Sequence, residues 1–136
     1  MANYKIEELE GIGPVLGEKL RGAGIKTTDD LLQNSKSPAQ RKELAEKSGL
    51  SDAQILKFAN MVDLFRIKGV GSEYAELLEA AGVDTVPELA QRNPENLTDK
   101  MKKVNDERKL TRRNPALKSV MKWVEQAKAL PRFLEY

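Results

Sequence analysis

Two glycine hairpins are the stretches of this chain whose residue types and spacing point to chemistry. Each places one apolar residue between two glycines, as Gly11-Ile12-Gly13 and as Gly69-Val70-Gly71, with helical patterns on both sides. Because glycine adopts positive φ without strain, the pattern predicts a very tight chain reversal with the apolar residue held in the core. The helix after such a reversal begins with unpaired N–H groups at the positive end of its dipole. The sequence therefore predicts a potential anion site at each hairpin.

The residues around the two hairpins repeat at constant spacings. Five small, apolar or capping positions recur 58 residues later: Gly17, Leu20, Gly24, Thr27 and Leu31 match Ala75, Leu78, Gly82, Thr85 and Leu89. Further along, Ile55, Phe58 and Phe65 match Val120, Trp123 and Leu130 at a spacing of 65 residues. The seven extra residues lie in a polar, basic stretch between about Lys102 and Asn114. We therefore predict an internal duplication with repeats at residues 1–63 and 64–136, forming one compact unit, and with Trp123 in its core.

Capping residues and apolar periodicity predict an all-α chain. The helices include 3–10, 14–23, one from 94 to about 104, and a last one from about 114 to 131. On the helix 14–23, the residues predicted to face inward are Val15, Leu16 and Leu20. On the last helix they are Leu117, Val120, Met121, Val124 and Ala127.

The composition excludes several classes of function. The 136 residues include no Cys and no His, which rules out disulfides, thiolate or imidazole catalysis and His/Cys metal sites. Adjacent carboxylates such as Asp29-Asp30 and Asp106-Glu107 do not face each other on a helix. No apolar stretch approaches the roughly 20 residues of a membrane helix. We expect a cytoplasmic, non-enzymatic protein with no cofactor, no metal and no membrane partner.

The pattern apolar-x-x-apolar-x-Gly-apolar-Gly-x-x-x-small-x-x-apolar resembles the helix-hairpin-helix motif, whose hairpin amides typically hold nucleic-acid phosphate without reading sequence. Nearly the whole chain is similar to an uncharacterised, mostly prokaryotic family of tandem helix-hairpin-helix proteins, known as a domain of unknown function. The segments 10–14, 66–71 and 79–85 are the most specific points of this resemblance. The resemblance implies duplicated helix-hairpin-helix repeats in a SAM-domain-like helical bundle with pseudo-twofold symmetry.

Charge is distributed unevenly along the chain. Residues 99–136 contain eleven Lys/Arg against five Asp/Glu, a net charge of +6, which leaves −4 for residues 1–98. With the resemblance, this basic end predicts non-catalytic, largely sequence-independent binding of nucleic acid, DNA more than RNA. The expected contact residues are Gly11, Gly13, Val15, Lys19, Arg21, Lys68, Gly69, Gly71, Ser72, Arg112 and Arg113.

The same residues leave a second hypothesis open, a protein-interaction or scaffold module that does not bind nucleic acid. Tight helix packing alone would require the four hairpin glycines. Each hairpin also carries acids on one arm: Glu7, Glu8 and Glu10 before the first, and Glu73, Glu76 and Glu79 after the second. A carboxylate a few ångströms away opposes a bound anion about as strongly as the helix dipole attracts it. The acidic arms favour a protein partner, and the basic C-terminal third favours nucleic acid.

Overall fold

The computed structural model describes residues 3–136, and over this range the fold is all-α, which confirms the predicted class. A single 3-10 turn over Ile6–Glu8 precedes the α-helices. These are α1 (Gly13–Gly22), α2 (Thr28–Gln33), α3 (Pro38–Ser48), α4 (Asp52–Leu64), α5 (Ser72–Ala80), α6 (Val86–Ala90), α7 (Pro94–Arg108) and α8 (Leu117–Ala129). Residues 1 and 2 of the predicted first repeat lie outside the described residues. None of the helices in the described range is long and apolar enough to span a bilayer.

The described chain divides into two compact units. The first unit contains Asn3–Asp63 together with Phe133–Tyr136, and the second contains Leu64–Arg132. In the first, α1 packs against the 3-10 turn and against α3. In the second, α8 packs against α6 and α7, and α7 also packs against α5.

The C-terminal residues contribute to the core of the first unit. Leu134 is almost fully buried, and the buried Arg41 guanidinium donates to the carbonyl of Glu135 at 2.6 Å. The same guanidinium donates to the carbonyls of Ser35 at 2.9 Å and Lys36 at 3.1 Å. A buried charge is tolerated when hydrogen bonds satisfy it in this way.

The prediction of a helix over residues 3 to 10 is wrong. Only Ile6–Glu8 is helical there, as a single 3-10 turn. The segment before the turn is extended and forms a bridge between Lys5 and Thr27. The Ile6 amide donates to the Lys26 carbonyl at 3.0 Å, and the Thr28 amide donates to the Tyr4 carbonyl at 2.9 Å. These partners across the chain replace the hydrogen bonds that a helix would have formed.

Three residues predicted to face inward are exposed instead: Val15 by 68%, Leu117 by 40% and Met121 by 50%. The helix boundaries near the inserted stretch also differ from the prediction. Helix α7 continues to Arg108, four residues beyond Val104, and α8 begins at Leu117 instead of at residues 114–115. Within this extension Asn105 is buried, so that the buried stripe of α7 continues one turn beyond Met101.

Candidate nucleic-acid interface

The first hairpin is a tight turn with its apolar residue buried, as predicted. Gly11 and Gly13 have φ of +90° and +64°, and Ile12 between them is buried. The Ile12 amide donates to the Leu9 carbonyl at 3.1 Å. Helix α1 begins at Gly13 without a side-chain cap, so its first-turn amides, apart from Pro14, point away from the helix without an internal acceptor.

Charges beside the first hairpin are partly neutralised by an ion pair. The Arg21 guanidinium forms two hydrogen bonds with the Glu7 carboxylate, one through Nε and one from Nη2 to Oε1 at 2.7 Å. Gly17 makes this possible, since a Cβ there would lie 2.7 Å from Cγ of Glu7. Lys19 is exposed. Arg21, predicted to contact phosphate, therefore already has an anionic partner, and Lys19 does not share it.

Glu7→Gln is expected to make stability less dependent on pH in the acid range. Hydrogen bonding from Arg21 holds the pKa of Glu7 at about 2, against an ordinary 4.5. Because the folded pKa is depressed, the pair stabilises the protein above pH 4.5 and loses this effect as the pH falls towards 2. Urea unfolding of both proteins between pH 7 and 2.5 measures the difference. Glu18→Gln, an exposed carboxylate of α1, is the control, and identical pH profiles for wild type and Glu7→Gln would contradict the assignment.

The second hairpin has the same buried apolar residue but a different second glycine. Gly69 has φ of +94° and Val70 is buried, with its amide donating to the Ile67 carbonyl at 3.1 Å. Gly71, in contrast to Gly13, is extended, with φ −102° and ψ −169°, and α5 begins at Ser72 without a side-chain cap. All three amides of the first turn of α5 are present, because no proline occupies it.

Two side chains of α8 hold the second hairpin in place. The Gln126 amide accepts from the Lys68 N–H at 2.8 Å and donates to the Lys68 carbonyl at 3.3 Å. The buried Trp123 ring lies against Gly69, where an added Cβ would be 2.9 Å from Nε1. The backbone of Lys68 is therefore occupied, while its side chain is exposed and available to a ligand.

Gly69→Ala is expected to lower the free energy of unfolding by about 2 kcal/mol or more, since positive φ and crowding against Trp123 add. Gly11→Ala is the matched control. Gly11 has nearly the same φ, but its added Cβ would be 3.4 Å from Phe58, an ordinary contact, so we expect only about 1–2 kcal/mol there. Urea unfolding followed by circular dichroism compares the two. Equal losses would show that Trp123 does not restrict this position.

The inserted stretch forms an ordered turn, residues 109–114, that we call the basic loop. The amide side chain of the buried Asn105 holds it. Its Nδ2 donates to the Thr111 carbonyl at 3.2 Å and to Oδ1 of Asn114 at 2.9 Å, and its Oδ1 accepts from the Thr111 N–H at 2.9 Å. Lys109 begins the loop with φ of +52°. Arg112 and Arg113 are exposed on this loop, and within residues 3–136 their guanidinium groups have no hydrogen bond or ion pair.

Tyr74 connects the basic loop to the second hairpin. Its hydroxyl donates to the Arg113 carbonyl at 3.4 Å, and its ring packs on Trp123 with centroids 5.2 Å apart. Tyr74 lies in the first turn of α5, directly after the hairpin. Within the second unit, the backbone of the basic loop at Arg113 therefore contacts the side chain of a residue in the first turn of α5. The exposed Glu73 is the one acid of that first turn.

The residues that position this site were missed by sequence reasoning. Asn105 and Gln126 are polar residues in polar stretches, and no spacing marks them. Trp123 was predicted only to lie in the core, without its contact to Gly69. In the described part of the chain, no group of three or more acidic side chains is arranged to hold a metal ion.

These elements define an all-α protein whose candidate site is a glycine hairpin, a helix start and a basic loop that Asn105 and Tyr74 hold by hydrogen bonds. The chain belongs to the family described as Domain of unknown function (DUF4332), whose profile matches residues 10–130. Comparison with curated proteins and with solved structures gives no match.

Proposed function

We propose that the protein is a tandem helix-hairpin-helix module that binds nucleic acid, DNA more than RNA, by its phosphates and without catalysis. The observation that carries the proposal is the hydrogen bond from Tyr74, in the first turn of α5, to the Arg113 carbonyl, since it joins α5 to the backbone of the loop that carries the two exposed arginines. The preference for DNA rests on the resemblance to the helix-hairpin-helix superfamily.

Matched hydrogen bonds 58 residues apart support the duplication in this proposal. In both halves, equivalent carbonyls accept from the amide of the apolar hairpin residue and from the amide of the apolar residue three positions after the next helix. The pairs are Ile12 to Leu9 and Val70 to Ile67 at 3.1 Å each, and Ile25 to Leu20 at 2.9 Å and Val83 to Leu78 at 2.8 Å. The glycines directly before Ile25 and Val83, which are Gly24 and Gly82, have φ of +92° and +95°. In each half an aromatic residue, Phe58 or Trp123, lies against the first hairpin glycine.

Three kinds of donor hold the phosphate in the proposed complex. First-turn amides at a helix start donate to phosphate oxygens and are aided by the helix dipole. Arg112 and Arg113 offer planar guanidinium groups, which bind phosphate through two parallel hydrogen bonds. Lys68 supplies a point charge at the second hairpin, and Lys19, which lies in the last turn of α1, supplies one further from the first hairpin. None of these donors reads a base edge, so binding is largely independent of sequence.

The second hairpin and the basic loop carry most of the expected affinity. At the first hairpin, Pro14 removes one donor and Glu7 engages Arg21. The exposed Glu8 and Glu10 add further negative charge there. This local acidity is the observation that favours the alternative, a protein-interaction surface, at the first hairpin.

Fluorescence anisotropy of a labelled 20-base-pair duplex and a matching single strand tests the proposal at 50 and 200 mM salt. Four cationic contacts, from Lys19, Lys68, Arg112 and Arg113, predict that affinity for the duplex falls roughly 150-fold between these salt concentrations. Equal affinity for an unrelated duplex sequence is also expected. No binding at 50 mM salt would overturn the proposal and favour the protein-interaction alternative.

A further inference from the structure

The outward face of α8 exposes apolar side chains that the nucleic-acid proposal does not use. Leu117 and Met121 lie one helical turn apart and are 40% and 50% exposed. The buried stripe of the helix, formed by Val120, Trp123, Val124 and Ala127, lies directly beside them. The apolar surface of α8 is therefore wider than the part that the rest of the second unit covers, and Leu117 and Met121 form its uncovered edge.

Two lysines flank the exposed apolar residues. Lys118 and Lys122 follow Leu117 and Met121 by one position each and are also exposed. With Met121, Glu125 and Gln126, they line a shallow open depression whose accessible surface is almost entirely carbon. Lysine stems can form such surface while their ammonium groups stay in water, and methionine adapts its shape to different partners.

The one acid in this depression does not neutralise the two lysines. The Glu125 carboxylate lies 3.6 Å from Nζ of Lys128, one turn further along the helix. The depression therefore has an apolar floor and a positive rim.

We propose that this face of α8 is a docking surface for an acidic amphipathic helix of another protein. One apolar side chain of that helix packs beside Met121, and its flanking Asp or Glu residues pair with Lys118 and Lys122. Pairing an apolar stripe with a surface of this kind is a common mode of helix recognition. The proposal is independent of nucleic-acid binding, because it uses neither hairpin and neither arginine of the basic loop.

Charge argues against the two other occupants of this surface. A second copy of the chain docked through the same face would bring together four lysines and only two glutamates, each of which already pairs with Lys128, and this excess of positive charge disfavours an isologous contact. A phosphate backbone could pair with the two lysines at the rim, but the apolar floor of the depression has no hydrogen-bond donor for its oxygens. An acidic amphipathic helix offers an apolar side chain for the floor and carboxylates for the lysines of the rim.

Selection of peptides that bind the wild-type protein, from a displayed library of random 16-residue helical peptides, tests this proposal. We expect the selected sequences to combine one large apolar residue with Asp or Glu at helical spacing. Met121→Glu, an exposed substitution that should preserve folding, is expected to weaken the selected peptide at least tenfold, as is Lys118→Glu with Lys122→Glu. Lys102→Glu, on the exposed side of α7, is the control and should change affinity less than twofold.

Several results would overturn the proposal. These are selected peptides without acidic residues, binding that Met121→Glu does not weaken, or no selected peptide at all. Concentration-dependent dimerisation of the wild type that Met121→Glu abolishes would assign the face to a second copy instead. Arg112→Glu with Arg113→Glu should leave peptide affinity unchanged, so failure of this proposal is distinguishable from failure of nucleic-acid binding.

Discussion

Replacing Trp123 with alanine is expected to lower the free energy of unfolding by about 3–5 kcal/mol, which is a large part of the ~5–15 kcal/mol typical of a folded domain. Trp123 is 3% exposed, and its ring fills the space between Gly69 of the hairpin and Tyr74 of α5. Its removal leaves a cavity beneath the hairpin, because the atoms nearest to a Cβ at Gly69 all belong to the Trp123 ring. Urea unfolding followed by circular dichroism at 222 nm measures the loss without relying on tryptophan fluorescence.

Two variants calibrate the Trp123 result. Trp123→Phe keeps one ring in the same space and should lose less than half as much stability as Trp123→Ala. Phe58→Ala removes the ring that lies against Gly11 in the first unit and should cost a similar ~3–5 kcal/mol. A loss below about 1 kcal/mol for Trp123→Ala would mean that this ring does not support the second hairpin.

The double variant Arg112→Glu with Arg113→Glu is expected to weaken binding to the duplex at least about tenfold at 50 mM salt, and to reduce the slope of log affinity against log salt by about 2. Both guanidinium groups are exposed and unpaired within the described residues, so folding should be unaffected. Anisotropy titrations at four salt concentrations measure the affinity and the slope together.

The matched control for the arginine variant carries the same change of charge on the first unit. Lys26→Glu with Lys42→Glu also reverses two exposed cations, and neither lies in the proposed site. If only the overall charge of the protein mattered, both double variants would lose affinity equally, and the specific role of the basic loop would be refuted. Unchanged thermal unfolding of both variants confirms that the comparison concerns binding.

Local pattern predicted the hairpins well, because their geometry depends on residues within a few positions of each other. Glycine at Gly11 and Gly69 allows the positive φ, and burial of Ile12 and Val70 follows from one apolar residue between two reversals. The burial of Trp123 was predicted correctly from its match to Phe58. Such features need no knowledge of which helices meet.

The rest of the site depends on contacts between residues distant in sequence. Glu7 reaches Arg21 only because Gly17 leaves room, and Asn105 organises a loop that hydropathy describes merely as polar. Leu117 and Met121 follow the apolar period of α8 as well as their buried neighbours do. Their exposure could not be predicted, because periodicity shows which residues share a face and not whether another helix covers that face.

Titration of the isotope-labelled protein with the short duplex, followed in ¹⁵N–¹H correlation spectra, tests the central claim most directly. The account predicts that the amide signals of Gly71, Ser72, Arg112 and Arg113 shift together along one saturating curve, that Gly13 and Val15 shift more weakly, and that 200 mM salt suppresses all of these changes. Shifts confined to α8, or an absence of shifts at 50 mM salt, would contradict it.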